Sequence, residues 1–166
     1  MNDRIIPNDL GTMPRVPFPL DDTTGRVALV GCGKEKRSPL AGLVPAEELY
    51  TGAYFREVLA ACKAQYEWVF ILSAKHGLIA LDTRIEAYNV MLPWSDRRQW
   101  QADIIERFRS KCDAPPGWWA LGHKIDIHAG RSYARWFPLQ NHPAATIRWA
   151  DWGPIGKRRQ KYRSLV

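Results

Sequence analysis

The sequence predicts one α/β domain of three layers. A mainly parallel sheet is covered on both faces, with an extended N-terminal arm and a basic C-terminal tail. Three observations lead there. Two short apolar runs, Val27-Ala28-Leu29-Val30 and Val69-Phe70-Ile71-Leu72, stop abruptly in small and basic residues. Such continuous runs suit strands buried on both faces. Between and after them, apolar residues recur at spacings of three and four, the period of amphipathic helices. Strands alternating with helices make βαβ units. Finally, 166 residues with 46% hydrophobic content can bury one substantial core.

Residues 1–25 carry Pro7, Pro14, Pro17 and Pro19 without periodicity, which reads as an extended arm. The α/β domain then spans 26–150, and 151–166 is a basic C-terminal segment. Strand one is 26–31. A long polar loop with Pro39 and Pro45 covers 32–45, and 46–50 forms a helical turn. Thr51 can cap a helix from Gly52 to about Gln65, whose apolar face is Tyr54, Phe55, Val58, Leu59 and Cys62. Strand two is 67–72. Residues 73–94 are read as a loop, with Val90-Met91-Leu92 a candidate short strand before Pro93.

Ser95 and Asp96 can cap a second helix over about 96–111. Trp100, Ile104, Ile105 and Phe108 line one face, and Arg97, Arg98, Arg107 and Arg109 the other. Pro115-Pro116-Gly117 breaks the chain. The third strand is Trp118–Leu121 or Lys124–His128. Gly130 opens a helix through Ser132–Phe137. The sheet should hold four or five strands.

No apolar run approaches the roughly 20 residues of a membrane-spanning helix. Met1-Asn2-Asp3-Arg4 lacks the apolar core of a signal peptide, so a cytoplasmic location without membrane contact is expected. Cys32, Cys62 and Cys112 are odd in number and far apart, which argues for a reducing compartment. There is no Cys-x-x-Cys pair, and His123 and His128 fall on opposite faces of a strand. Neither a metal nor a cofactor is implied.

The net charge is +7 and the pI about 9.5. Lys157, Arg158, Arg159, Lys161 and Arg163 concentrate cations near the C-terminus. Such a cluster suits a polyanion, nucleic acid above all, with DNA ahead of RNA; a solvated tail is the alternative. Trp94, Trp100, Trp149 and Trp152 sit beside polar residues or glycine. They could stack on bases or pack in the core.

Chemistry gathers at the strand ends, where open α/β sheets place ligands. Gly31-Cys32-Gly33-Lys34 lacks the spacing of a Walker loop and the third glycine of a dinucleotide fingerprint. Its glycine N–H groups, with Lys34, Lys36 and Ser38, still suit an anion. Cys32 lies among cations, which favour a nucleophilic thiol; packing at a crowded strand end is the competing explanation.

Ser73-Ala74-Lys75-His76-Gly77 brings a hydroxyl, an ammonium and an imidazole to one turn. His76 can give or take a proton near neutral pH, or serve as a structural histidine. Gly77 should supply a positive φ. Glu86 is a candidate general base. Tyr50 and Tyr88 are candidate hydrogen-bonding or base-stacking rings. Gly130 and Arg131 sit where a third strand enters a helix, a place suited to an anion. No Gly-x-Ser-x-Gly elbow supports acyl hydrolysis.

Five motifs together carry a resemblance. They are Cys32-Gly33-Lys34-x-Lys36, Leu49-Tyr50-Thr51-x-x-x-Phe55, Leu72-Ser73-Ala74-Lys75-His76-Gly77-Leu78, Ile85-Glu86-x-Tyr88 and Ala129-Gly130-Arg131-x-Tyr133. Over about 26–139 the chain resembles a family of small bacterial and phage proteins of unknown function. Ile155-Gly156-Lys157-x-x-Gln160 is a weaker echo. More distantly, Lys34, Leu72, Ser73, Gly77, Asp82, Ile85 and Tyr88 are similar to positions of the YaaA peroxide-stress family, where a tyrosine replaces His76. That similarity implies DNA binding linked to oxidative damage.

The expected function is an enzyme acting on a nucleobase or nucleotide, in DNA or RNA. The reaction would be N-glycosidic cleavage, base exchange or base modification, as in a DNA glycosylase or a base-modifying transferase. Lys34, Lys36 and Arg131 would hold phosphate or the leaving group. Cys32, Ser73, Lys75, His76 and Glu86 would surround the reacting atom. A non-catalytic DNA-protecting protein of the YaaA type, or a phage-type protein that sequesters a nucleotide, are the alternatives.

Overall fold

A computed structural model describes residues 22–92, 97–109, 124–139, 145–150 and 154–166. Its main sheet contains strands β1 (Val27–Gly31), β3 (Trp68–Ser73), β4 (Gly77–Ala80), β6 (Lys124–His128) and β7 (Thr146–Trp149), in the order β4-β3-β1-β6-β7. β3, β1, β6 and β7 run parallel, and β4 adds an antiparallel edge. Two short strands, β2 (Val44–Pro45) and β5 (Arg84–Ile85), pair separately.

The helices are α1 (Ala46–Leu49), α2 (Ala53–Gln65), α3 (Arg97–Arg109), α4 (Arg131–Trp136) and α5 (Ile155–Arg163). The crossover from β1 to β3 runs through α2; the one from β6 to β7 runs through α4 in the opposite direction along the sheet. With both crossovers right-handed, the two helices fall on opposite faces. Two cores follow. Ala28, Val30 and Ile71 pack with Phe55, Val58 and Leu59 of α2 and Tyr162 of α5. Val27, Leu29 and Leu72 pack with Trp100, Ile104 and Phe108 of α3 and Ala134 of α4. β1 thus divides its apolar run between two layers of helices.

Sequence and structure differ in four places. The stretch read as a loop over 73–94 contains β4 and β5, while Val90–Leu92 forms no strand. The polar loop over 32–45 holds a 3-10 turn at Pro39–Ala41 and the strand β2. Residues 146–149 form β7. The basic run is a helix, α5, packed on α2 through Tyr162, rather than a free tail.

Trp100 and Trp149 are buried, and their indole N–H groups donate to the Ser73 and Ala129 carbonyls. That rules them out as stacking platforms. Ser95, Asp96, Trp94, Trp152, Cys112, His123, residues 1–21 and the alternative strand Trp118–Leu121 lie outside the described residues.

One pattern in β6 misleads. Lys-Ile-Asp-Ile-His alternates like a half-exposed strand, yet Asp126 and His128 are buried on the α2 face. Asp126 accepts from Arg26 at 2.9 Å, from Arg148 at 2.7 and 2.8 Å, and from the Tyr66 hydroxyl at 3.0 Å. His128 joins Tyr66 (2.9 Å) to Tyr162 (3.0 Å). Tyr66 spends its one hydrogen on Asp126, so it accepts from His128 Nε2–H; Nδ1 then accepts from Tyr162. Burial lowers the His128 pKa to about 4, which keeps the ring neutral, as this relay requires.

Candidate functional site

The sheet winds outward in both directions from β1, so its topological switch point lies between β1 and β6. Ligands of open α/β sheets bind beyond the carboxyl ends of the strands at this point. Here the two strand ends nearly touch. A Cβ on Gly31 would lie 2.7 Å from the Ala129 Cβ, so the position needs glycine. The chain leaving β1 is then held in place by Arg37 N–H bonding to Leu49 O and Thr51 N–H to Glu35 O.

Two cavities, of about 340 and 270 Å³, meet at this loop. Cys32, Gly33, Lys34 and Tyr133 line both. The larger continues between α2 and α5, past Tyr54, Phe55, Gly130, Ile155 and Arg159. The smaller runs under Asn89–Leu92 toward Lys36 and Ser132. Cys32 Sγ is 3.1 Å from the Tyr133 hydroxyl. Burial, then Cys32, pushes the Tyr133 pKa up, so the phenol keeps its proton and can donate to the sulfur.

Beside this ridge lies a second polar cluster. β3 turns into β4 through Ala74-Lys75-His76, with Ser73 opposite Gly77. Gly77 has φ 65°, the expected left-handed residue. Ser73 Oγ accepts the N–H groups of Lys75 and His76 at 3.2 and 3.0 Å. With both lone pairs used, its hydrogen goes to Tyr88 (2.7 Å), and Tyr88 donates on to Tyr50 (2.7 Å). Burial raises both phenol pKa values, that of Tyr50 to about 12.

Lys36 Nζ sits 4.5 Å from the Tyr88 ring centre, and Lys75 Nζ 5.6 Å. The His76 ring meets Tyr88 edge-on at 5.2 Å. Burial, then Lys75, lowers the His76 pKa, and its buried Nε2 has no hydrogen-bond partner among the described residues.

The expected site residues therefore separate. Cys32, Lys34, Lys36 and Gly130 line the cavities. Ser73, Lys75, His76, Tyr50 and Tyr88 form the neighbouring turn and line neither. Ser73 and Tyr50 are fully buried. Arg131 and Glu86 are exposed and line neither cavity. Ser38 caps the 3-10 turn by accepting from Leu40 N–H. On α5, Arg159 and Arg163 bind Glu57, which pulls that carboxyl down to about 2.

Tyr133, Tyr54, Asn89 and Ser132 were not singled out as site residues. Tyr133 had a signal, in Ala-Gly-Arg-x-Tyr. Among the described residues no group of three or more His, Cys, Asp or Glu could hold a metal ion, and no helix is long and apolar enough to cross a membrane.

These features define a doubly wound α/β domain with paired cavities at its switch point. The chain belongs to the family of unknown function DUF6884, whose model matches residues 27–163. No curated protein matches it, and the similarity to the YaaA family gains no support from that comparison.

Proposed function

We propose that this protein is an enzyme acting on a nucleobase or nucleotide, in DNA or RNA, with the larger cavity as its substrate site. One observation carries the proposal: the basic helix α5 forms a wall of the cavity that contains Cys32, through Ile155 and Arg159. Charge suited to a phosphate backbone and a free thiol thus share one cleft. Lys157, Arg158 and Lys161 would meet phosphates, and Tyr54 and Phe55 supply aromatic wall. A duplex base would have to flip out to enter. Cys32, with the Tyr133 hydroxyl beside it, would attack the sugar carbon as the glycosidic bond breaks and the base departs, or would move a proton. N-glycosidic cleavage, base exchange and base modification all fit these groups.

A non-catalytic nucleic-acid-binding protein is the second reading. It is favoured by the Ser73–Tyr88–Tyr50 chain, whose bonds are internal and leave Ser73 no free valence. The test is to incubate DNA and RNA with the protein and to analyse released bases and digested nucleosides by mass spectrometry. The first reading expects a new base or nucleoside. Unchanged nucleic acids, bound with a steep salt dependence, would favour the second.

A further inference from the structure

The proposed substrate site uses one of the two cavities that meet at Cys32. The smaller one has a different chemistry. Its charged lining is Lys34 and Lys36, joined by the Asn89 amide and the Ser132 hydroxyl. Among the described residues no carboxylate lines it, whereas Glu35 lines the larger cavity. Lys36 Nζ donates to the Gly33 and Lys34 carbonyls at 3.2 and 3.3 Å. An ammonium has three N–H groups, so these two carbonyls do not use them all, and the positive charge itself has no carboxylate in the lining.

The roof is apolar. Val90 and Met91 are 41% and 83% exposed, at the edge of this basic slot. Exposed apolar surface beside a few convergent polar groups is the usual composition of a small-molecule site. Two lysines with no carboxylate beside them among the described lining residues favour an anion. The side-chain amide and hydroxyl supply directional bonds, and Val90 and Met91 can cover an apolar or planar body.

We propose that the smaller cavity is a second ligand site, for a compact molecule bearing a phosphate or carboxylate group. The inference rests on the reading of the larger cavity only in this respect: the two occupants would meet at the Cys32 thiol. Binding in the smaller cavity stands without it.

Calorimetry on the full chain tests this with ribose 5-phosphate and glutarate as anionic probes and the four ribonucleosides as uncharged ones. Ser132→Trp and, independently, Met91→Trp put bulk into the smaller cavity from exposed positions. Gly130→Phe fills the larger one; its φ of −63° is ordinary, and a Cβ there meets nothing within 4 Å.

One anionic probe should bind the natural protein, and which one binds identifies the charged group. Either tryptophan variant should weaken it by about tenfold or more, the equivalent of losing one charge-assisted bond. Gly130→Phe should leave it unchanged. If neither anionic probe binds, or if Gly130→Phe weakens it as much as the tryptophan variants, the proposal is overturned. Failure of the larger site alone looks different: no ribonucleoside binds, or Gly130→Phe leaves ribonucleoside binding intact, while the anionic probe still responds to Ser132→Trp and Met91→Trp.

Discussion

Two polar regions flank the same strands and are built on opposite principles. Under the α2 face, Tyr162, His128, Tyr66 and Asp126 form a relay in which each hydrogen has a defined acceptor, and Arg26 and Arg148 neutralise its end. At the strand ends, the Cys32 sulfur meets the Tyr133 hydroxyl, its one side-chain partner among the described residues, and Lys34 lines both cavities. A polar network buried in low dielectric stabilises a fold only when satisfied. Groups that keep spare valences at a cleft remain available to a ligand. Closed networks should therefore respond to mutation through stability, and the open ridge through function.

The largest expected effect breaks the closed region. Asp126→Ala would leave Arg26 and Arg148 facing each other without their shared partner. Removing one side of a buried ion pair costs about 3–5 kcal/mol, and urea unfolding should show it.

His128 gives the next effect, through pH. Its folded pKa of about 4 lies below the ordinary 6.5, chiefly because burial opposes the charged ring. Between these values the unfolded chain binds a proton that the fold refuses. The His128 contribution to stability should therefore fall as pH drops from about 6.5 to 4 and level off below, by up to about 3 kcal/mol. Urea midpoints across that range should show the slope, and His128→Gln should remove it.

Gly31→Ala strikes where the two regions meet. The new methyl group would push the ends of β1 and β6 apart, at about 1–3 kcal/mol for an overpacked site. Because Cys32 is the next residue, turnover should fall further than unfolding data alone explain.

The smallest stability effect belongs to Glu57→Gln. Its pairs with Arg159 and Arg163 lie near the surface, where screening holds the contribution within about 1 kcal/mol. Under the proposed function, releasing both arginines should instead tighten nucleic-acid binding and steepen its salt dependence. Fluorescence anisotropy with a labelled oligonucleotide over a salt series measures both.

The sequence carried the switch-point architecture better than it carried the site. β1, β3 and α2 were legible because burial on both faces, or on one helical stripe, leaves a periodic signal. β4 was not, since Gly77-Leu78-Ile79-Ala80 is only four residues long and starts directly at a turn. β7 was hidden by Arg148, a charge that reads as loop until its partner on β6 is known.

The closed network could not be read at all. Its members lie tens of residues apart, and the alternation in β6 resembles a strand facing water. In the site, Cys32 and Lys34 stood out by local chemistry. The Tyr133 contact spans 101 positions and emerged only from the fold. Ser73, a candidate catalytic group, and Tyr88, a candidate hydrogen-bonding or stacking ring, are bonded to each other.

The most direct test compares turnover of the natural protein and Cys32→Ala, by mass spectrometry of bases and nucleosides, with urea unfolding of the same samples. The variant should lose its product while its stability stays within about 1 kcal/mol, the range of a small change at a site without a cavity cost. Retained turnover, or a variant that unfolds, would contradict this and make Cys32 part of the framework.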